Sequence, residues 1–333
     1  MTSPLQPLSV VLEDVDDRLK KGTHASKRVW PTGFELLDGY LNGGFRSGEL
    51  VLLAGPQGMG KTTWALQTAS HMAVAGRSVV YFSFEHDAQT LLERLIAMEA
   101  AQNNGIEAVG LNRVRAAFEA MDGREGGLVE RLQDGKGARE ALETVSEYAS
   151  RVLVFQSSGA TTSIEVVREV IDKAREATGQ LPFVVVDYLQ KVYVPGGPAI
   201  EDERITTVVE GLKDVSLELD VPVLAIVAAD KEGVAAGRRM RMHHMRGSTA
   251  LAYEADTVLV LNEKYDVVAR HHLIYDIGGA ERFHEWAVMS IEKNRNGLDH
   301  VDLEFQKRFE HGRFERHAGM VSERLVDERV FLE

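Results

Sequence analysis

Residues 49–66 read ELVLLAGPQGMGKTTWAL, a short apolar run, a glycine-rich turn and the start of a helix in one stretch. Within it stands G-x-x-x-x-G-K-T. Gly55, Gly58 and Gly60 let the backbone fold tightly, so that successive N–H groups face phosphates. Lys61 supplies a point charge to the β and γ phosphates, and the Thr62 hydroxyl can ligate magnesium. Chance matches to this pattern usually lack a strand before it and a helix after it. Both are present here, so the stretch predicts a nucleotide site built from Gly55, Gln57, Gly58, Gly60, Lys61, Thr62 and Thr63, with ATP and Mg2+ as the bound species.

Outward from this stretch the pattern alternates. Apolar runs at 49–54, 78–84, 151–155, 183–187 and 222–228 are separated by segments of helical periodicity at 62–75, 87–103, 163–178 and 201–219. Continuous apolar runs are the mark of strands buried on both faces, which predicts an α/β fold, a largely parallel central sheet flanked by helices. After residue 256 the runs TVLVLNE, HHLIYD, EWAVMSIEKN and HVDLEF read as further strands that extend the sheet through hairpins. The stretch 104–150, with GREGG and DGKG inside charged helical sequence, is the least interpretable part. Two carboxylates fall where phosphate chemistry needs them. FVVVDYLQ places Asp187 at the end of a core strand, where it would share magnesium with Thr62, and SVVYFSFE places Glu85 where it can take a proton from an attacking water.

Bulk composition narrows the rest. The chain has 333 residues, 44% of them hydrophobic, with no cysteine and a net charge of −13. Disulfide frameworks and thiolate zinc sites are thereby excluded. With no secretory start and no apolar span of membrane length, a cytoplasmic location is expected. So acidic a chain can meet nucleic acid only through a local basic patch. GRRMRMHHMRGS, 237–248, is such a patch and sits in a stretch free of acids from Gly233 to Tyr253. Arg238, Arg239, Arg241 and Arg246 are the candidate contacts to a phosphate backbone; the alternatives are an ordinary solvated loop or a loop folded against the subunit boundary. Aromatic residues do not interleave with them, and Met240, Met242 and Met245 are expected to pack locally. The pairs His243–His244 and His271–His272 lack a third ligand, so no transition-metal site is expected.

TGFELLDGYLNGGFRSGELVLLAGPQGMGKTT, YFSFEHD, VVVDYLQ, MRGSTALAYEADTVLVL and IEKNRNG occur in this order. Together they resemble the C-terminal motor domain of the DnaB-type replicative helicases, a branch of the RecA-like ATPases, over roughly residues 28–316. The resemblance implies a ring, usually hexameric, with ATP held between neighbours, single-stranded DNA in the pore and 5′-to-3′ movement. By it, Glu85 activates water, Asp187 and Gln190 serve the metal and the γ-phosphate region, and Lys293 and Arg295 reach into the neighbouring subunit's site. A replication loader or primase becomes a possible partner. Too few residues precede the motor to form the N-terminal domain that family members carry. That leaves 1–27 as a linker helix with its connector, 28–316 as the motor and 317–333 as a tail.

The N-terminal stretch SVVLEDVDDRLKKG places Val10, Val11, Val15 and Leu19 on roughly one helix face. Alone it could dock on its own domain; the resemblance favours the next subunit. One departure matters. Where the family has Ser-Gln after the strand matching VPVLAIV, this chain has Ala228 and Ala229, so a polar γ-phosphate sensor is missing. Three functions stay open: a DNA motor, a RecA-like regulatory or recombination ATPase that binds a protein partner, and a weakly hydrolysing assembly module.

Overall fold

The computed structural model describes residues 7–21, 28–121, 123–235, 237–247, 249–274 and 280–328. The chain opens with α1 (Leu8–Lys20), β1 (Val29–Trp30), α2 (Glu35–Tyr40) and β2 (Phe45–Arg46), then enters the core with β3 (Leu50–Gly55), α3 (Lys61–Val74), β4 (Val79–Ser83) and α4 (Ala88–Asn104). A helical excursion, α5 (Leu111–Phe118), α6 (Leu128–Leu132) and α7 (Ala138–Tyr148), precedes β5 (Val152–Gln156), α8 (Ile164–Thr178), β6 (Phe183–Asp187), α9 (Glu201–Glu218) and β7 (Val223–Ala228). The last third holds α10 (Ala250–Glu254), β8 (Thr257–Glu263), α11 (Lys264–Val267), α12 (Arg270–Ile274), β9 (Trp286–Asn294), β10 (Val301–Arg308), β11 (Arg313–Phe314) and β12 (Gly319–Met320).

The sheet order is β11-β10-β9-β8-β3-β7-β6-β4-β5, with β12 added on β10. Neighbours from β8 through β5 run parallel, and those from β8 through β11 antiparallel. Every residue of β3, β4 and β6 is buried, because helices cover both faces. One face packs against α3, α4 and α7 around Trp64, Phe34, Phe45 and Tyr81; the other packs against α8 and α9 around Val209, Leu212 and Val215.

Three expectations change. TVLVLNE is a strand, but it pairs in parallel with β3 instead of folding back on its predecessor. HHLIYD supplies part of the short helix α12, with Tyr275 and Asp276 outside the described residues. RVLVF forms β5 at the sheet edge and is only half-buried, since it has one strand neighbour. The 104–150 stretch carries α5, α6 and α7, joined by turns. Its small residues Ala138 and Ala141 let α7 lie close against α4 at Ala97, Ala100 and Ala101.

The C-terminal strands return to the P-loop helix. The Gln67 amide of α3 donates to the Phe314 carbonyl and accepts from the Phe314 N–H, each at 2.8 Å, bonds worth on the order of 1 kcal/mol apiece. This brings Phe309 over the phosphate loop. No residue of α1 is buried, and Leu8, Leu12 and Leu19 are 84%, 71% and 59% exposed. The helix therefore does not dock on its own domain. The connector 22–27 and the tail end 329–333 lie outside the described residues.

Candidate nucleotide site

The strand order β3-β7-β6-β4 places four carboxyl ends side by side, the edge where open α/β sheets bind ligands. A cavity of about 600 Å3 opens there, lined among others by Gly55, Gln57, Gly58, Gly60, Lys61, Thr62, Thr63, Glu85 and Asp187. The glycines are required by space. A Cβ on Gly55 would lie 2.7 Å from the Leu261 carbonyl oxygen, and one on Gly60, whose φ is +82°, would strike the Phe309 ring at 2.6 Å. Lys61 folds back over the loop, donating from Nζ to the carbonyls of Gly55 at 2.7 Å and Pro56 at 2.9 Å. Burial draws its ammonium down to about 8, against the opposing pull of Asp187 and Glu85.

Asp187 closes β6 and is buried. The Tyr81 hydroxyl donates to its Oδ2 at 2.9 Å and the Thr62 side chain is hydrogen-bonded to it. Burial raises the carboxyl above its usual range, while those bonds work the other way. Glu85 lies just beyond β4 in a turn fixed by Ser83, whose hydroxyl donates to the His86 carbonyl at 2.5 Å and accepts from the His86 N–H at 3.1 Å. The Glu85 carboxylate is hydrogen-bonded to the Tyr188 side chain. Asp87 then caps α4 by accepting from the Thr90 N–H at 2.7 Å.

Gln190 sits between Ala228 and Arg246, two residues that do line the cavity. It does not line the cavity; its side-chain oxygen accepts from the Ala228 N–H at 3.2 Å and its Nε2 donates to the Arg246 carbonyl at 2.9 Å. The Arg246 N–H in turn donates to the Ala228 carbonyl at 2.8 Å. The residue that departs from the family pattern is thus tied by its backbone to Gln190 and to the basic loop.

Lys293 and Arg295 stand outside the cavity of their own chain. Lys293 Nζ donates to the Ala252 carbonyl at 2.7 Å, and Arg295 lies 3.2 Å from Asp256 with 49% of its side chain exposed. Asp256 is the buried hub of that corner, paired with Lys213 at 2.7 Å and accepting from the Leu50 N–H at 2.8 Å.

The basic patch is less free than its sequence suggests, because acids distant in the chain meet it in space. Arg239 is buried, bound to Asp302 and, at 2.8 Å, to the Ser290 hydroxyl; it braces the C-terminal hairpin and is no surface contact. Arg241 meets Glu292 at 2.8 Å and Asp327 at 2.6 Å, and Arg238 meets Glu232 at 3.1 Å and Glu328 at 3.6 Å. Arg246 pairs with Glu201 at 2.8 Å and lines the nucleotide cavity. Met240 and Met245 are core residues.

Sequence reasoning missed several lining residues: His86, Arg94, Leu111, Phe309 and Gly312. Only Arg94 left a trace. It is a charge set between Leu91 and Met98 in the apolar stripe of α4, at the three- and four-residue spacing of one helix face.

The model of the DnaB-like helicase C-terminal domain matches residues 30–316. The chain belongs to that family. Among curated DnaB relatives, the replicative DNA helicase DnaB of Treponema pallidum is 26% identical over 84% of this chain and 54% of its own length. The chain thus spans about half the length of that relative. Two solved structures share the RecA-like fold. One, an ATPase domain, aligns with a TM-score of 0.73 at 21% identity, covering 93% of this chain and 98% of that one. A DnaB-like replicative helicase described with its interactions with primase aligns at 0.72 and 21%, covering 94% and 68%. Among the described residues of this DnaB-family chain, no helix is long and apolar enough to cross a membrane.

Proposed function

We propose that the chain is an ATP-hydrolysing, ring-forming motor that acts on single-stranded DNA in replication. The observation that carries this reading is the gathering of Lys61, the hydrogen-bonded pair Thr62–Asp187, and Glu85 on the walls of one cavity. Thr62 and Asp187 present hard oxygen donors side by side, which suits Mg2+, an ion that keeps most of its shell as water and phosphate oxygen. When bound, the ion would neutralise developing phosphoryl charge. Glu85 takes the proton of the attacking water. Lys293 and Arg295, absent from their own cavity and close to the surface, serve the site of the adjoining copy. The exposed apolar face of α1 is covered by the same neighbour, since an unpartnered stripe of this kind marks an interaction site. A homohexamer and a loader or primase partner belong to this reading. The fold likeness to the helicase described with its primase interactions is the reason to test primase.

For DNA, the test is ATP turnover and oligonucleotide binding with Arg238 and Arg241 both changed to glutamine, which keeps stem volume beside Glu232 and Glu292. Single-stranded DNA should stimulate the wild-type protein. The double variant should bind it more weakly, with a log–log salt slope smaller by about 1.4, from roughly 0.7 per lost phosphate contact. An unchanged slope takes the patch off the DNA path, and slow turnover indifferent to DNA favours an assembly module. For the ring, removal of residues 1–22 should shift assemblies to smaller species in sedimentation; the same oligomer in both proteins would rule out α1 as the tie.

A further inference from the structure

Strand β4 holds Asp187 at two points. Its register sets Tyr81 opposite Val185 and Ser83 opposite Asp187 on β6, and alternation along a strand puts Tyr81 and Ser83 on the same face. The Phe84 N–H donates to the Asp187 carbonyl at 3.0 Å, so the backbone of Asp187 is fixed from the end of β4. Its side chain is fixed from the same strand, because the Tyr81 hydroxyl reaches along that face and donates to Oδ2 at 2.9 Å. Beyond Ser83 the chain turns and presents Glu85 to the same cavity.

Tyr81 is fully buried in the core layer beneath α3 and α4, where Phe34, Phe45 and Phe183 fill their places without a polar atom. A hydroxyl withdrawn from water is unfavourable unless it is bonded, so packing alone favours a plain ring at position 81. Bonded to a carboxylate, the same hydroxyl makes a charge-assisted bond. Among the described residues, the buried Asp187 carboxylate is bonded to Tyr81 and to the side chain of Thr62, the other proposed magnesium donor. With Oδ2 engaged by a phenol that the core holds in place, rotation of the carboxylate would break a buried hydrogen bond, which restrains it.

We propose that Tyr81 is a positioning residue for the magnesium that accompanies ATP: it acts through Asp187, fixing the carboxylate in the orientation that receives the ion together with Thr62. This rests on the reading of Thr62 and Asp187 as the magnesium donors, and it gives a part in that site to a core tyrosine that touches neither nucleotide nor metal. Removing a hydrogen bond of this kind from behind a metal-binding carboxylate lowers metal affinity about 10- to 100-fold. A hydroxyl that only satisfied the core would change folding stability and leave metal affinity alone.

The test uses the full chain with Tyr81→Phe, which keeps the ring, and with Phe82→Leu as a control for the packing of β4, since Phe82 is buried on the opposite face against Phe155. Thermal melting follows each variant. Binding of Mn2+ in the presence of a non-hydrolysable ATP analogue is counted from the electron paramagnetic resonance signal of the free ion, against the analogue alone. Tyr81→Phe should bind Mn2+ about 10- to 100-fold more weakly than wild type, while binding of the analogue in EDTA stays as in wild type. Its turnover should fall at limiting Mg2+ and recover most of its value in excess Mg2+. Phe82→Leu should melt earlier with metal affinity intact; the same metal loss there would make the effect one of packing and overturn the proposal. Equal Mn2+ affinity in Tyr81→Phe and wild type, or a loss of turnover that excess Mg2+ does not restore, also overturns it and leaves Thr62 and Asp187 standing as the metal donors. A double-mutant cycle with Asp187→Ala tests the route. In that background Tyr81→Phe should cost no further metal affinity, and additive losses would show that the hydroxyl acts elsewhere. Wild-type protein that binds no Mn2+ beyond the analogue alone would remove the magnesium reading itself, and this proposal with it.

Discussion

Lys61→Ala protein is expected to fold and to lose ATP hydrolysis. Among the described residues the Lys61 ammonium bonds to the carbonyls of Gly55 and Pro56, so its removal leaves two acceptors that nucleotide or water can reach rather than a hole in the core. With ATP present, the ammonium is the side-chain cation on a loop otherwise made of backbone donors. Hydrogen bonds to charged groups contribute roughly 1.5–3 kcal/mol each, which alone costs about 10- to 150-fold in affinity. Loss of a preorganised charge at the transferring group costs about a further 10²- to 10³-fold in turnover. A second readout comes from protonation. Burial holds the free ammonium at about 8, and a triphosphate beside it restores the charged form. Nucleotide binding at pH near 8 should therefore take up protons, and below about pH 7 it should take up few. Calorimetry in buffers of different ionisation heat measures this, and the uptake should vanish in Lys61→Ala. Undiminished hydrolysis by the variant would refute the phosphate-loop assignment.

Glu85→Gln should bind ATP nearly as wild type yet turn it over about 10²- to 10⁴-fold more slowly, the range for loss of a general base. The turn that presents residue 85 is held by Ser83 and the His86 backbone, neither of which the substitution touches. An amide keeps the length of the side chain and an oxygen able to accept from the Tyr188 hydroxyl. What it cannot do is accept the water proton. Single-turnover hydrolysis separates this chemical defect from binding, and a burst of normal size would show that another group acts as base.

Much of the site was legible because local chemistry specifies it. A loop whose backbone must approach phosphates needs glycine at 55, 58 and 60 whatever surrounds it, and the following lysine and threonine have few other reasons to stand at that spacing. The strand-end acids Asp187 and Glu85 were readable for a related cause. Continuous apolar runs mark buried strands, and a carboxylate at the end of one faces the ligand edge of the sheet. Family membership follows from such local motifs in order, and the fold class from alternation of period.

Tertiary structure decided where charges are spent. The stretch 233–253 has no acid of its own, yet Asp302, Glu292, Asp327 and Glu328 arrive from residues far along the chain and claim Arg239, Arg241 and Arg238. Gln190 is polar enough for a phosphate contact, and the crossing of β6 beside β7 sets it against Ala228 and the Arg246 carbonyl. Arg94 went unread for the converse reason: nothing nearby in sequence says that a charge in an apolar helix stripe faces a cavity and not a buried acid. A motif that must wrap a ligand writes its needs into consecutive residues. An ion pair or a cavity wall is defined by which distant elements the fold brings together, so it exists only once the sheet order is set.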